Sequence, residues 1–425
     1  MNRIKMTAIA ATITLAFSAS AMAASGISKD EYKADKSKIA AEYKSAKASC
    51  GSMTGNAKDI CVVEAKGKEK VAKAELEAAG IENLESVFFN RFGQFIYREP
   101  RGRHAGYPLP EVGIHRGKLH RILYDAACRQ LGPQRIHTNH RCTGMTQDAH
   151  GARLAFVQGS DGTPLPAVDC DVVVACDGIH SALRRQFYPD EKLAFAGINT
   201  WRGVTRHAPI LTGKSYMRVG SIKTGKMVIY PIVDAIDAQG RQLVNWMAEI
   251  EGDDQAMNDW NTGGKVEDFV SIFADWKFDW LDVPALIRNA DQVLQYPMVD
   301  KDPVAQWTFG RVTLMGDAAH PMYPRGSNGS AQALIDGRVL ATQLAEGGDP
   351  LAALQSYEGL RRETTARIVR TNRELPPDFI NIRVDELAGD KPFRHIDDII
   401  SQDELREISE NYKRIAGFSL ASVKA

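Results

Sequence analysis

Two acidic turns stand out among the residues whose types and spacing could do chemistry. Gly316-Asp317 ends a short alternating run from Arg311 to Met315, and Asp177-Gly178 ends the apolar run from Asp171 to Cys176. An aspartate delivered by a buried strand into a glycine turn can accept hydrogen bonds from sugar hydroxyls, while the glycine lets a ligand approach the backbone. After Asp317, the residues Pro321, Pro324 and Gly326 prevent regular structure. From Gly329 a helical period begins, with Ala331, Leu334, Ile335, Val339, Leu340 and Leu344 on one face. Strand, acidic turn, Gly/Pro loop and helix N-terminus form the geometry that holds a polar cofactor outside the carboxyl edge of a sheet. The N–H groups of Gly326 to Ser330 would then face an electron-rich ring or a phosphate. The plainer alternative is an ordinary strand–helix turn with incidental glycines.

The longer pattern resembles a known family. Gly316-Asp317-Ala318-Ala319-His320-Pro321, followed by Pro324, Gly326, Gly329 and a helix with Asp336, is similar to the second FAD-binding motif of single-component flavoprotein aromatic hydroxylases. These are the salicylate- and para-hydroxybenzoate-hydroxylase-like monooxygenases. The resemblance implies that Gly316 and Asp317 meet the FAD ribityl chain, and that Pro324, Gly326, Gly329 and Ser330 lie beside the isoalloxazine. Asp177-Gly178-Ile179-His180-Ser181-Ala182-Leu183-Arg184 resembles the family's middle motif, which serves both FAD and the path of the nicotinamide cofactor. There Asp177 would hydrogen-bond ribityl or pyrophosphate-side groups, Gly178 would allow close backbone approach and Arg184 would anchor the turn. Arg116 stands at a helix start, like an arginine that contacts the FAD pyrophosphate region in that family; a guanidinium can bind phosphate oxygens bidentately.

The activity the resemblance implies is an NAD(P)H-dependent monooxygenase that hydroxylates an aromatic or heteroaromatic substrate with oxygen activated at the flavin C4a carbon. Its cofactor is FAD, its co-substrate NAD(P)H, and its other partners a small aromatic substrate and O₂. The protein's part is positioning, a dry pocket and donors toward the flavin. No acid–base pair reads as catalytic, and His320 reads as a structural hydrogen-bonder.

These motifs must be held by a particular set of elements. Ser86–Asn90 and Gln94–Tyr97 read as a hairpin around Arg91–Gly93. Arg116 opens a helix running to Gln130, with Leu119, Ile122, Leu123, Ala126 and Ala127 on its buried face. Arg153–Gln158 and Ala167–Val174 read as strands around Asp161-Gly162. Thr200–Val204, Ser215–Val219, Lys226–Ile232 and Leu243–Ile250 suggest an antiparallel sheet, with helices at Val266–Asp275 and Pro284–Asn289. Such a sheet, inserted between two halves of a nucleotide-binding fold, would cover the flavin and carry the substrate. Trp201, Arg202, Tyr216, Met217 and Tyr230 are its candidate lining residues, although any single aromatic there could equally be core. Pro350–Arg373 reads as a long helix broken by Pro376-Pro377, and Ser401–Tyr412 as a helix in a polar tail suited to packing or association.

The fold class expected is α/β: an incomplete FAD/NAD(P)-binding Rossmann-like domain with an inserted antiparallel β-sheet substrate domain, preceded by a helical hairpin. Its parts are a signal peptide at 1–23, a Lys/Ala/Glu-rich helical segment at 24–79, FAD-binding parts at 80–190 and 301–375, the substrate sheet at 191–300 and a helical tail at 376–425. The signal peptide rests on a basic start, an apolar run from Met6 to Ala19 and Ala21-Met22-Ala23 as a cleavage site. It directs the chain to the periplasm or outside, where the resembled family would be cytoplasmic. Cys50 and Cys61 flank a Gly/Ser/Asn turn between the two Lys/Ala/Glu-rich helices and could pair after export; the alternative is a solvated charged helix. The other four cysteines read as core thiols, and no Cys-x-x-Cys pair suggests a metal.

Lys+Arg and Asp+Glu are equal at 53 each, which gives no electrostatic case for nucleic acid. Beyond the N-terminal run no stretch is long or apolar enough to span a membrane, and nothing speaks to oligomeric state. One expected motif is absent. The 35 glycines include no Gly-x-Gly, so the Gly-x-Gly-x-x-Gly turn that cradles a pyrophosphate has no place. The family pattern begins near residue 78, and the sequence reads as an exported helical segment fused to a hydroxylase lacking its first strand–helix–strand unit. The alternative function is therefore a non-catalytic flavoprotein remnant or an exported binding protein.

Overall fold

The computed structural model describes residues 80–252, 263–346, 348–374 and 378–420. Met1–Ala74 and Glu75–Ala425 are separate units, and only the second contains described residues. The expected signal peptide, helical hairpin, Cys50–Cys61 pair and Pro376-Pro377 break lie outside the described residues.

The second unit begins with β1 (Ile81–Glu82), β2 (Glu85–Phe89), β3 (Phe95–Pro100), β4 (Val112–Gly113) and α1 (Arg116–Leu131). Then come β5 (His140–Gln147), β6 (Ala152–Gln158), β7 (Pro164–Cys170), β8 (Val173–Ala175) and α2 (Ala182–Phe187). The middle of the chain supplies β9 (Ala194–His207), β10 (Ser215–Ser221), β11 (Gly225–Val233), β12 (Gln242–Glu251), β13 (Lys277–Phe278), β14 (Leu281–Asp282), α3 (Val283–Arg288) and β15 (Ala290–Asp300). It closes with β16 (Thr308–Phe309), β17 (Val312–Leu314), α4 (Gly329–Ala345), α5 (Pro350–Glu374), α6 (Phe379–Ala388) and α7 (Gln402–Ile415).

Two sheets position the acidic turns and the surface that faces them. In the small sheet β17 lies between β16 and β8, antiparallel to the first and parallel to the second, with Leu314 opposite Ala175. Val312, Leu314, Val173 and Ala175 are all buried, as a parallel pair covered on both faces requires. The large sheet has seven strands in the order β15-β9-β12-β11-β10-β2-β3 and is antiparallel except where β10 meets β2. The mixed α/β class is that expected from the sequence.

Alternation divides the large sheet into two unlike faces. Trp201, Met217, Ile229, Trp246, Val87 and Phe89 point to one side and pack with Phe269, Phe273, Leu286 and Ile287 in the main apolar core. Their neighbours in the same strands (Arg202, Tyr216, Arg218, Tyr230, Asn245 and Met247) occupy the other side, as the pairings Tyr216↔Ser86, Tyr230↔Asn245 and Met247↔Arg202 require.

Several local expectations are corrected. The hairpin β2–β3 joins the large sheet through β10, not the nucleotide-binding layer. Ala167–Val174 is two strands: β7 belongs to the antiparallel β5-β6-β7 sheet and β8 to the parallel pair, so the chain changes sheets at Asp171-Val172. Val266–Asp275 forms two 3₁₀ turns, Val266–Asp268 and Val270–Phe273, and Phe269 and Phe273 are driven into the core. Strand β15 was not anticipated because Pro297 interrupts its pattern; proline is tolerated there at the sheet edge, where the register shifts. Helix α1 buries none of its residues, and Leu123 is 40% exposed. In α4 the buried residues are Gln332, Asp336 and Leu340, while Leu334 and Leu344 are exposed. All four of these cysteines are free thiols: Cys142 and Cys170 are half-buried and pack against the core under the small sheet, Cys128 is half-buried in α1, and Cys176 is exposed.

Candidate functional site

Asp177-Gly178 and Gly316-Asp317 leave the carboxyl ends of the adjacent parallel strands β8 and β17, so both turns open at one sheet edge. Gly178 has φ +79°, and a Cβ there would meet nothing within 4 Å, which leaves the backbone open to close approach. The Asp177 carboxylate is exposed and accepts the Ala182 N–H at 2.9 Å, with its remaining acceptor capacity facing outward. Asp317 is also exposed.

Arg184 ties the two turns together. Its side chain is fully buried, and Nη1 donates to the carbonyls of Ala318 at 2.9 Å and Ala319 at 2.7 Å. Nε donates to Glu191 at 2.8 Å, and Nη2 donates to Glu191 and to the Asp302 carbonyl. Burial opposes ionisation of Glu191, but hydrogen bonds from Arg184 and Lys301 outweigh it and hold its carboxyl below the ordinary range. With all its donors engaged internally, Arg184 acts as a strut between the motifs.

A second strut lies under the Gly316 turn. Asp336 is buried and accepts from the Gly316 N–H at 3.1 Å, from His320 Nε2 at 2.5 Å and from Arg361 Nε at 2.7 Å. Arg361 also donates to Gln332 at 2.6 Å. Burial alone would raise the Asp336 carboxyl, yet the hydrogen bonds and charges of His320 and Arg361 lower it. His320 is thereby held as a structural partner. The signal for this cluster was the polar pair Gln332 and Asp336 on a helix face read as apolar.

The polar face of the large sheet faces the loop that follows. Tyr216 stacks on Tyr230 with centroids 5.0 Å apart, and its hydroxyl bonds Ser327 Oγ at 2.9 Å, joining sheet to loop. Burial and Tyr216 raise the Tyr230 phenol above its ordinary value, while the charges of Arg202 and Arg116 pull it down. Arg116, at the exposed start of α1, is thus within electrostatic reach of Tyr230. Trp201 and Met217 belong to the opposite, apolar face; Trp201 stacks on Phe269 at 4.8 Å. Sequence reading missed Thr200 and Asn245, which share the face of Arg202; alternation from Arg202 was the available signal.

Three buried polar atoms on this face have no protein partner: Arg202 Nε, Thr200 Oγ1 and Asn245 Nδ2. Arg202 Nη2 reaches only the Met247 sulfur, a weak acceptor, at 2.6 Å. At one margin Lys226 is buried between Glu249 at 2.7 Å and Asp378 at 2.9 Å, and Asp378 also meets Arg325 of the loop at 3.2 Å. Burial would raise the Asp378 carboxyl, but Lys226 and Arg325 outweigh it and lower it to about 2.

These residues fit the ribityl and ring end of an FAD. Asp177, Gly178 and Asp317 offer acceptors and an open backbone, and the uncapped N-terminus of α4 at Gly329 and Ser330 presents unbonded N–H groups. Gly326 and Pro324 shape the loop between them. Among the described residues no group of His, Cys, Asp or Glu is arranged to hold a metal, and no helix is long and apolar enough to cross a membrane.

Comparison with known proteins gives the family of the chain. The model of the FAD binding domain family matches residues 104–372, which include both acidic turns, Arg184, the loop and α4. Phenazine 1,6-dicarboxylic acid hydroxylase PhzS of Lysobacter antibioticus is 37% identical over 303 residues, which span 70% of this chain and 74% of that protein. The 3-amino-4-hydroxybenzoate 2-monooxygenase PtmB3 of Streptomyces platensis is 33% identical over 276 residues, 64% of this chain and 65% of that protein. The fold is shared with Klebsiella pneumoniae HpxO complexed with FAD and uric acid, at TM-score 0.61 and 20% identity over 83% of this chain and 82% of that one. The chain belongs to the FAD-dependent aromatic-ring monooxygenases, a family whose cofactor is FAD and whose co-substrate is NAD(P)H.

Proposed function

We propose that this chain hydroxylates an aromatic or heteroaromatic acid, holding its carboxylate on the polar face of the large sheet. The observation that carries the reading is the set of unpartnered buried donors: Arg202 Nε, Asn245 Nδ2 and Thr200 Oγ1. Each buried donor left unpaired costs about 1–3 kcal/mol, so three on one face beside a cofactor loop suit a ligand site. A guanidinium paired with an amide and a hydroxyl suits a carboxylate. Tyr216, Tyr230 and Met247 add flat apolar surface for a ring. Relatives named for phenazine dicarboxylic acid and aminohydroxybenzoate support the same substrate class.

When bound, FAD supplies the redox and oxygen chemistry, with NAD(P)H as reductant and O₂ as co-substrate. Asp317 and Asp177-Gly178 would hold its ribityl side, Gly316 the turn, and Pro324, Gly326, Gly329 and Ser330 the ring side. Arg116, exposed beside the same face, would serve the pyrophosphate side, and Arg184 the link between the motifs. The residues assigned here belong to the flavin end. No Gly-x-Gly occurs in the sequence, so a pyrophosphate would have to be held without that turn. The proposed organisation keeps the substrate sheet between two FAD-binding parts, extended by β2 and β3. The N-terminal signal pattern favours export, and cell fractionation that finds the unprocessed chain in the cytoplasm would refute it.

The test is direct. The purified chain, supplied with FAD, should show flavin absorbance and oxidise NAD(P)H in the presence of aromatic acids, yielding hydroxylated product. The same rings without a carboxylate should be poor substrates. Absence of flavin absorbance after adding FAD would sink the enzyme reading and favour the non-catalytic alternative.

A further inference from the structure

We infer that Tyr412, in the C-terminal helix α7, is a positioning residue that sets the shape of the loop from Pro324 to Ser330. The inference rests on reading that loop as the flavin side of the site. Tyr412 lies beyond residue 372, where the family match ends.

The loop cannot hold its own shape. Ser327 sits at φ +53°, a left-handed conformation that costs a non-glycine residue on the order of 1 kcal/mol. Asn328, which precedes α4, makes no side-chain cap. Beyond the bonds of Ser327 to Tyr216 and of Arg325 to Asp378, the restraint comes from α5 and α7. The Tyr412 hydroxyl accepts from Asn328 Nδ2 at 3.0 Å and donates to Asn372 Oδ1 at 2.8 Å. Asn372 Nδ2 in turn donates to the Tyr323 carbonyl at 3.3 Å, just before the loop. Past the loop, Gln332 Nε2 donates to the Ala416 carbonyl at 3.3 Å. The phenol thus fastens the middle of the loop directly and its entry through Asn372, while the exit is held separately from the end of α7.

Gly326 records how close the fit is. A Cβ at Gly326 would lie 1.9 Å from the Tyr412 hydroxyl oxygen and 2.6 Å from Asn372 Oδ1. The glycine is required by the tyrosine as much as by any cofactor. Burial holds the Tyr412 phenol well above its ordinary range, so it stays protonated and can donate and accept at once.

Tyr412→Phe keeps the ring and removes both hydroxyl bonds. In the full chain we expect hydrogen exchange of amides 325–332 to accelerate on the order of tenfold, with the β10–β12 amides unchanged. The dissociation constant for FAD, followed by flavin fluorescence, should rise by a similar factor. Gly326→Ala should do more damage, because its methyl falls on the hydroxyl. Combining it with Tyr412→Phe removes the contact with the hydroxyl and leaves the one with Asn372 Oδ1, so loop exchange should fall back part of the way toward the level of Tyr412→Phe alone. Acceleration spread evenly over α7 and the sheet would overturn the proposal, as would a double variant carrying the sum of both single defects. If the parent chain binds no FAD, the flavin reading fails while the exchange measurements still decide the role of Tyr412.

Discussion

The same strands build two faces with opposite characters. On one side of the large sheet Trp246, Trp201, Met217 and Ile229 are buried in the main apolar core, where Thr205 is a polar neighbour of Trp246. On the other, one residue along in each strand, Arg202, Asn245 and Thr200 keep buried polar atoms without protein partners, and Lys226 needs two carboxylates to remain inside. The apolar face is held mainly by packing, and its unpaired polar atoms, Trp201 Nε1 and Gln242 Oε1, stand apart in different strands. The polar face gathers its unpaired donors beside the cofactor loop, as a binding surface requires. Substitutions should therefore separate: changes on the first face cost stability, and changes on the second cost ligand recognition.

The largest expected effect tests the apolar face. Trp246 is fully buried, and its indole N–H donates to Thr205 Oγ1 at 3.0 Å. Trp246→Ala should cost about 3–5 kcal/mol in urea unfolding. That deficit should be the same at pH 5 and pH 2.5, because no charge is involved. A loss below about 1 kcal/mol would mean that this face is not the core.

The polar face should instead show acid sensitivity. Asp378, with its carboxyl lowered to about 2 against an ordinary value near 3.9, contributes stability above about pH 4 that is lost as pH falls toward 2. The loss between pH 5 and pH 2.5 should be roughly 2 kcal/mol by the same linkage. Asp378→Asn should be weaker at pH 5, since it leaves Lys226 underpaired, and should lack that share of the acid slope. An unchanged slope would show that the Lys226–Asp378–Arg325 cluster does not hold this margin of the face.

The two faces also differed in how well the sequence disclosed them. Alternation in β9 to β12 made the sheet and its apolar residues readable, and the turns at Asp177-Gly178 and Gly316-Asp317 carried their own punctuation. What alternation does not disclose is which way each set points. Trp201 and Arg202 are adjacent, and only the pairing of β9 with β12 and β15 sends one into the core and the other to the site. Long-range partners were likewise hidden. Arg184 reads as the anchor of its own turn, but its partners, the carbonyls of Ala318 and Ala319, lie far along the chain. Tyr412 meets the loop from a tail whose composition looked merely polar, and Asn372 meets Tyr412 from the end of the long helix before it. The apolar side of α1 is a different kind of miss. Its helical period was right, but among the described residues that face is only half-buried, since a period gives the character of a face and not the depth to which it is packed.

A smaller effect sharpens the functional side. Arg202→Gln removes the cation but keeps a polar side chain, and stability should change by less than about 1 kcal/mol. KM for an aromatic acid should rise on the order of 10- to 100-fold, the worth of one charge-assisted hydrogen-bonded contact. Steady-state kinetics on the acid and on its ring without the carboxylate make the comparison. Equal losses on both would show that Arg202 shapes the pocket without reading the carboxylate.

The smallest effect has the most diagnostic sign. Thr200→Val is nearly isosteric and removes a buried hydroxyl that no protein group satisfies. On the apolar face a change of this size would be neutral or harmful. Here the desolvation cost of the orphan oxygen disappears with it, so stability should rise by about 1 kcal/mol in denaturant unfolding. Affinity for the acid should fall several-fold at the same time, since a donor to the ligand is lost. The two shifts must appear together. A variant that loses stability would show that the Thr200 hydroxyl is already satisfied in the free protein, and the polar face would then be an ordinary solvated surface and not one built to be completed by a ligand.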